Sequence, residues 1–202
     1  NRYYETRVFS PQKGQFAHVF TDITDSKNKE KLLLRLNREL CAISNCNAVL
    51  VRADDEEELL GNICRIICEE AGYRMAWVGY AERDASKTVR PVAWAGDENG
   101  YVTSARVSWG DTEYGQGPTG TAIRTGKTVY VQDFSTDPRM APWREKALTQ
   151  GYRSSIALPL KAKNGTAIGA LTIYSGEAEA FTGEEIRLLE ELASDLAFGV
   201  EV

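Results

Sequence analysis

The sequence predicts an α+β fold in which helices cover one face of an antiparallel sheet. Amphipathic helical stripes occur towards both ends of the 202 residues, and short β-rich runs separated by turns lie between them. A long connection between the central strands leaves material to cover the second face of the sheet. The length suits one full domain with a short appendage.

The composition favours a folded protein that contacts neither nucleic acid nor a bilayer. Hydrophobic residues make up 43% and charged residues 26%, and the net charge of −5 offers no clustered basic face. No run approaches the roughly 20 apolar residues of a membrane span. The N-terminus is neither a signal peptide nor an initiator Met, so we expect a cytoplasmic fragment of a longer chain.

The N-terminal residues predict a β-hairpin. Two β-rich runs, 2–9 and 16–23, flank a turn-forming segment. A lone hairpin is marginally stable in water, so this one is expected to lean on another element or to end a larger sheet. Asp25 or Ser26 then serves as the predicted N-cap of a helix.

A long helix is predicted over 27–52. Its apolar positions fall at the alternating three and four spacing of a heptad, and they are Leu33, Leu36, Leu40, Ile43 and Leu50. Because the heptads are few, a coiled coil and an ordinary amphipathic helix both remain open. We expect a parallel homodimer through Leu33, Leu36, Leu40 and Ile43, together with the C-terminal helix over 183–202.

The remaining elements follow from local signals. A second helix is expected over 55–71, with its cap among the acidic residues 54–57 and its end at Gly72. The segment Thr182–Glu185 forms a capping box that opens the last helix. Between them, the expected strands are 74–81, 89–95, 128–131, 154–160 and 167–174, with a short helix over 117–125 and a turn at 163–165.

The four cysteines are interpreted as small buried apolar residues. They are Cys41, Cys46, Cys64 and Cys68, and all lie in segments predicted to be helical. The alternative is a metal or redox cluster, since Cys64 and Cys68 share a helix face. That face also carries Leu60, which favours the packing role.

Two motifs bear on chemistry. Gly115, Gly117 and Gly120 match the spacing of a dinucleotide-binding fingerprint, but no apolar strand precedes them and Pro118 lacks an N–H, so a turn and helix start is favoured. The single histidine, His18, lies in the predicted hairpin. Elsewhere the sequence therefore has no candidate for a catalytic triad or a histidine-ligated metal.

Five stretches, taken in order, resemble GAF domains of bacterial sensor proteins. They are Trp77–Tyr80 (WVGY), Gly117–Lys127 (GPTGTAIRTGK), Tyr152–Leu160 (YRSSIALPL), Ile168–Tyr174 (IGALTIY) and Phe181–Leu189 (FTGEEIRLL). Residues 2–27 resemble the last two strands and the exit of a PAS domain. The expected organisation is a PAS remnant over 1–26, a linker helix over 27–52 and a GAF-like sensor domain over 53–202.

The resemblance implies a sheet of about six antiparallel strands with a ligand pocket on the face opposite the helices. It also implies a regulatory sensory input domain upstream of a histidine kinase or a diguanylate cyclase. Relatives that reduce methionine sulfoxide would carry a cysteine where this chain has Thr119, and the motifs of cyclic-nucleotide and bilin binders are missing. We therefore expect no enzyme activity, and the resemblance identifies no cofactor.

A small-molecule pocket is predicted among aromatic and polar residues of the central and C-terminal segments. An apolar pocket with a few convergent polar groups is the usual form of such a site. The candidates are Trp94, Tyr101, Trp109, Tyr114, Thr119, Asp133, Met140, Trp143, Arg153 and Ser155, with Arg144 beside them and 133–143 as a lid.

Three other interpretations stay open. The aromatic residues could simply close the domain over its sheet, with Asp133 and Arg153 as a structural pair. The whole domain could be a ligand-free scaffold for dimerisation and spacing. The third alternative is an enzyme whose catalytic groups the sequence does not reveal.

Overall fold

A computed structural model describes residues 2–10, 12–13, 15–52, 55–97 and 99–200, without the side chain of Glu39. Asp54, one of the predicted cap residues, lies outside them. The chain divides into two compact units, 1–38 and 39–202. The elements are β1 Tyr4–Phe9, β2 Ala17–Asp22, α1 Thr24–Leu50, α2 Glu56–Glu69, β3 Met75–Ala81, β4 Val89–Gly96, α3 Tyr101–Ser104, α4 Pro118–Thr125, β5 Val129–Val131, α5 Arg144–Thr149, β6 Ser154–Lys161, β7 Ala167–Ser175 and α6 Gly183–Val200.

The first unit contains the expected hairpin and the start of α1. Strands β1 and β2 pair antiparallel from Tyr4 opposite Asp22 to Phe9 opposite Ala17. Phe16, His18 and Phe20 lie along one face with ring centroids 5.7 and 6.0 Å apart. Phe16 and Phe20 are largely exposed within the described chain, so this face of the hairpin is not covered by another described element, contrary to expectation.

Helix α1 begins earlier than predicted. Asp22 Oδ1 accepts a hydrogen bond of 2.9 Å from the Thr24 amide, and the Thr24 hydroxyl accepts one of 2.9 Å from the Tyr3 amide. The helix therefore begins at Thr24, and the predicted caps Asp25 and Ser26 lie inside it. The contact with Tyr3 joins residues 21 positions apart, and local capping rules do not include it.

The second unit is built on a five-stranded antiparallel sheet with the order β4-β3-β7-β6-β5. The expected number was about six. A further strand beside β4 is reduced to one isolated bridge, between Thr88 and Ser108. Beyond Trp109 the chain leaves β4, and Arg124 holds the following loop through the carbonyl groups of Gly110 and Gly115.

Helices α2 and α6 and the end of α1 pack on one face of this sheet, as predicted. Alternate strand residues, among them Val78, Ile156 and Leu171, point into this helical layer, where they are buried with Leu60 and Leu196. The layer buries large aliphatic side chains, each contributing roughly 1.5–3 kcal/mol. It is the main core of the domain.

Both predicted helix caps of this layer are present. The Asp55 carboxylate accepts a hydrogen bond of 2.8 Å from the Glu58 amide at the start of α2. At α6 the capping box is reciprocal: the Thr182 amide donates to Glu185 Oε2 at 2.6 Å, and the Glu185 amide donates to the Thr182 hydroxyl at 3.4 Å. Both helix starts are therefore fixed by neighbouring residues in the sequence.

The two edge strands of the sheet are interrupted or short. Strand β4 contains Pro91 and faces a register shift between Val78 and Gly79 of β3. Strand β5 has only three residues, Val129–Val131. Neither edge strand therefore offers a long, regular row of backbone hydrogen-bonding groups at the side of the sheet.

The cysteines mostly follow the packing interpretation. Cys46 and Cys64 are buried and Cys68 is half-buried, whereas Cys41 is exposed, contrary to expectation. Burial raises the pKa of the Cys46 and Cys68 thiols to about 12 and raises that of Cys64 as well. These three thiols stay protonated at neutral pH.

Candidate functional site

A cavity lies on the sheet face opposite the helical layer. Its empty space, counted together with the part open to solvent, is about 400 Å³. It is lined by Trp77, Tyr101, Val102, Ala105, Val107, Gly117, Pro118, Thr119, Gly120, Met140, Trp143 and Tyr174. The lining is mainly aromatic and aliphatic, and none of these side chains is a carboxylate or a basic group.

The floor of the cavity comes from β3 and β7. In each strand alternate residues face away from the helical layer, and this places Trp77 and Tyr174 in the second buried cluster. The benzene edge of the Trp77 indole faces Gly79, where a Cβ atom would lie 2.5 Å from Cζ3. The opposite edge, which carries Nε1, is therefore turned away from Gly79.

Three tyrosines and one phenylalanine, Tyr174 of the floor among them, pack together at this end of the cavity. The ring centroids of Tyr101, Tyr152 and Tyr174 lie 5.0 to 5.7 Å apart, and Phe134 packs on Tyr174 at 5.9 Å. The Tyr152 hydroxyl donates to the Asp97 carbonyl. Edge-to-face contacts of this kind fix ring orientation, so the hydroxyl groups near the cavity are held in place.

Burial keeps these phenols protonated. It raises the pKa of Tyr174 to about 12, and the nearby Trp77 N–H and Tyr101 hydroxyl partly offset the rise. Burial and repulsion from Tyr174 raise the pKa of Tyr101 well above its usual value. At neutral pH both hydroxyls are hydrogen-bond donors and not bases.

The first turn of α4 forms one wall. Gly117 is the N-cap and Pro118 is the first helical residue, a position that suits proline because no N–H is needed there. Thr119 is buried, and its hydroxyl shares a hydrogen bond of 2.9 Å with the Thr172 hydroxyl of β7. This bond fixes the helix start against the sheet.

The glycines of the 115–120 segment allow close backbone packing. A Cβ at Gly115 would lie 1.8 Å from the Gly110 carbonyl oxygen, and one at Gly120 would lie 2.1 Å from the Ser108 carbonyl oxygen. At Gly117 the obstacle is the Trp143 ring, at 2.7 Å. The glycine spacing thus serves the turn and helix start, the interpretation favoured over a nucleotide fingerprint.

Arg124 is a positioning residue that the sequence did not single out. Its Nη1 atom donates to the carbonyl oxygens of Gly110 at 3.0 Å and Gly115 at 2.9 Å, with a longer contact of 3.4 Å to Trp109. The side chain is half-buried under the loop it binds. The sequence does not predict these contacts, because a single Arg in a helix usually lies on an exposed face.

The predicted lid, 133–143, is held by its own polar contacts. Arg144 donates from Nε to the Phe134 carbonyl at 2.9 Å and from Nη2 to the Asp137 carbonyl at 2.6 Å. Asp137 in turn forms an ion pair of 2.6 Å with Arg139. From this segment only Met140 and Trp143 reach the cavity.

The structure brings together four of the ten predicted site residues. Tyr101, Thr119, Met140 and Trp143 line the cavity. Tyr114 packs edge-on against Trp143, with ring centroids 6.2 Å apart, just outside the lining.

The other five lie elsewhere in the second unit. Trp94 is opposite Trp77 in the strand register, but it is 43% exposed at the sheet edge. The Trp109 indole donates to the Glu82 carbonyl at 2.8 Å, beside a separate surface cleft. Asp133 and Arg153 approach each other to 3.6 Å, consistent with the structural pair.

Ser155 is buried opposite Tyr174 in the strand register, on the same sheet face but outside the cavity lining. Its hydroxyl has no hydrogen-bond partner within the described part of the chain. Trp77 and Tyr174, which do line the cavity, were not among the candidates. Their strands carry apolar residues on both faces, so the sequence pattern does not tell which face carries a pocket.

The described residues contain no group of three or more His, Cys, Asp or Glu side chains suited to a metal ion. No described helix combines the length and the apolar character needed to cross a bilayer.

The fold is shared with solved structures of low sequence identity. The free methionine-R-sulfoxide reductase of Neisseria meningitidis, solved with its substrate, is 23% identical with a TM-score of 0.64, covering 79% of this chain and 86% of that one. The nlh2 GAF domain of A. aeolicus, in an inactive state, is 18% identical with a TM-score of 0.62, covering 83% and 98%. No curated protein is significantly similar to the chain.

A third structure is the GAF domain of a phosphoenolpyruvate-protein phosphotransferase from Coxiella burnetii. It is 19% identical with a TM-score of 0.65, and the match covers 81% of this chain and 93% of that domain. The GAF domain family model matches residues 53–201, well over half of the chain. The sheet order, the helical layer and the cavity on the opposite face agree with that match, and the chain belongs to the GAF domain family.

Proposed function

We propose that this GAF domain is a sensory input module that binds a small molecule in the cavity and does not convert it. The observation that carries the proposal is the cavity lining, which combines an aromatic enclosure with buried donors and contains no acidic or basic side chain. Small-molecule sites commonly have this form.

Binding without turnover is supported by the groups that the lining lacks. Two structures similar to this chain are free methionine-R-sulfoxide reductases. Here Thr119 occupies the place where the family resemblance predicts a reductase cysteine, and all four cysteines of the chain lie at positions 41 to 68. The tyrosines at the cavity have raised pKa values and cannot serve as general bases at neutral pH.

The signal would pass from the cavity through the sheet to the helices. Adjacent residues of β7 face opposite sides: Tyr174 belongs to the cavity cluster and Ile173 to the helical core. A displacement of Tyr174 therefore shifts the surface on which the helices pack, and packed helices have discrete alternative arrangements. We place the module upstream of a histidine kinase or a diguanylate cyclase.

The proposal includes a parallel homodimer through Leu33, Leu36, Leu40, Ile43 and helix α6. Support comes from exposure, since Leu33 is 66% exposed and Leu40 is 51% exposed in the single chain. On α6, Phe198 is also largely exposed. Ile43 is half-buried against the core of its own chain. The exposed apolar surface available to a second copy therefore lies mainly N-terminal to Ile43.

Native mass spectrometry of the freshly purified chain tests the binding proposal. Extra mass that disappears on denaturation identifies a bound ligand, and a thermal-shift screen of metabolites then finds its class. The variant Ala105→Phe, at the half-buried rim of the cavity, is expected to abolish the shift, whereas Trp94→Phe outside the lining keeps it. A screen without any shift, or shifts unchanged in Ala105→Phe, would contradict the proposal.

The competing function is a ligand-free scaffold for dimerisation and spacing. The small empty volume and the closely packed tyrosine cluster favour it. Under this alternative, filling the cavity by Ala105→Phe leaves the output of the full-length protein unchanged. Under the sensory proposal, the same variant no longer responds to the ligand found in the screen.

A further inference from the structure

We infer that the ligand is a small oxyanion, a carboxylate or a group of like geometry joined to a short apolar part, whose oxygens bind the first turn of α4 and the Trp77 indole. The inference rests on the proposed binding function and specifies the class of molecule. Two independent observations point to the same atom type, a hydrogen-bond acceptor.

The first observation is a buried donor without an acceptor. Trp77 is only 3% exposed, it lines the cavity, and its Nε1–H has no hydrogen-bond partner at normal geometry within the described residues. The Tyr174 hydroxyl is close enough to be influenced by this N–H, but the pair does not complete a hydrogen bond. Leaving such a donor unpaired costs roughly 1–3 kcal/mol, so an acceptor in the cavity is favoured.

The second observation is the open start of α4. The N-cap is Gly117, which has no side chain to accept from the helix, and Pro118 has no N–H. The amides of Thr119 and Gly120 have no acceptor in the part of the chain that is described, and both residues line the cavity. Free amides at a helix N-terminus, together with the helix dipole, attract negative charge.

The charge of the lining selects among ligands. No lining side chain is acidic, so a bound cation would lie in a buried space without a counter-charge. A bound oxyanion would meet the Trp77 N–H and the two amides of α4. The aromatic and aliphatic remainder of the wall suits a small apolar group.

A matched series of probes tests the ligand class on the whole chain by isothermal titration calorimetry. Benzoate, benzamide and benzylamine share shape and size but are anionic, neutral and cationic. We expect benzoate to bind at least tenfold more tightly than benzamide, and benzylamine to show no binding. Charge-assisted hydrogen bonds are about twice as strong as neutral ones, and this sets the expected order.

The variant Trp77→Phe removes the indole N–H and keeps an aromatic floor. We expect it to weaken benzoate binding about tenfold, the loss of one hydrogen bond to a charged group, and to change benzamide binding less. Trp94→Phe is the matched control, since it removes an exposed indole on the same sheet face outside the cavity. Should Trp77→Phe fail to fold, the order of the three probes on the unsubstituted chain decides alone.

The outcomes separate this inference from the proposed function. Benzamide or benzylamine binding as tightly as benzoate, and blocked by Ala105→Phe, would overturn the oxyanion class and leave a ligand-binding cavity. Benzoate binding that is insensitive to both Trp77→Phe and Ala105→Phe would place the anion elsewhere and also overturn the inference. If no probe and no metabolite binds, the inference falls together with the sensory proposal.

Discussion

Around α4, backbone crowding decides which single positions tolerate a side chain. Gly120 is confined by two carbonyl oxygens, those of Ser108 and Gly115, whereas a methyl group at Gly61 in α2 would meet no atom within 4 Å beyond its own helix backbone. Both are helical glycines, yet only one of them is required by the fold. The difference comes from neighbours distant in the sequence, so helix propensity alone would treat the two positions alike.

The pair of variants Gly120→Ala and Gly61→Ala tests this contrast. We expect Gly120→Ala to lower the free energy of unfolding by more than about 2 kcal/mol, because backbone atoms cannot move aside easily. Gly61→Ala should raise it by about 0.5–1 kcal/mol through helix propensity. Urea denaturation measures both, and equal effects of the two changes would disprove the crowding argument.

At this scale the sequence predicted the cavity residues that lie in the connecting segments better than those that lie in the strands. Tyr101, Met140 and Trp143 stand out because they interrupt a polar connection, and they do line the cavity. Trp77 and Tyr174 lie in strands where apolar residues face both sides, so nothing in the pattern separates floor from core. Asp133 and Arg153 have opposite charges, which predicts a pair but not whether a ligand joins them.

At the scale of elements, one arginine anchors the loop before α4. Arg124 reaches back from the helix to three carbonyl groups between Trp109 and Gly115. The loop has little regular structure of its own apart from a single 3₁₀ turn over Glu113–Gly115. Its order therefore depends on this side chain.

Replacing Arg124 by Met tests the anchor. We expect amides of residues 108–116 to exchange hydrogen at least tenfold faster, since hydrogen bonds to a charged group contribute about 1.5–3 kcal/mol. Arg83→Met, at an exposed position, is the control. Hydrogen exchange read by mass spectrometry gives the answer, and unchanged protection of 108–116 would show that packing alone holds the loop.

Elements with local signals were predicted, and those set by distant contacts were not. The caps at Asp55 and Thr182 and the turn at Gly165, with its φ of 82°, follow from residues within four positions. The start of α1 adds a distant contact with Tyr3 to the local bond from Asp22, and the loop after the isolated bridge is held by the distant Arg124. Pairing across such distances leaves no periodic trace in the sequence.

For the whole molecule, several aspartates link stability to pH. Hydrogen bonds from Thr88, Ser135 and Arg139 hold the pKa of Asp84, Asp133 and Asp137, respectively, below the usual 3.8. A folded-state pKa below the unfolded value means that the stabilisation is fully present above the unfolded pKa. It is then lost as the pH falls through the folded pKa.

We therefore expect a free energy of unfolding that is level near neutral pH and declines below about pH 4. Urea titrations from pH 7 to pH 3 measure it. Asp84→Asn keeps a hydrogen-bond acceptor beside Thr88 but removes the titrating group, so its decline should be shallower. An Asp84→Asn curve parallel to that of the unsubstituted chain would contradict the role of this carboxylate.

Charge reversal tests the proposed homodimer at the same scale. Leu40→Glu introduces a charge at a heptad position and should convert a dimer into a single chain of 22.4 kDa. Leu34→Glu is the matched control, since Leu34 is equally apolar and 61% exposed but lies off the heptad seam. Light scattering reports the mass, and a Leu40→Glu dimer or a Leu34→Glu monomer would argue against this seam.

The interrupted edges of the five-stranded sheet limit how copies of this domain can associate. A strand from another molecule needs a continuous row of free amides and carbonyls, and Pro91 removes one amide from β4 while β5 offers only three residues. Edge-to-edge growth, the usual route from a folded β domain to fibrils, is thereby blocked on both sides. The second unit should consequently stay free of amyloid-like aggregates when concentrated.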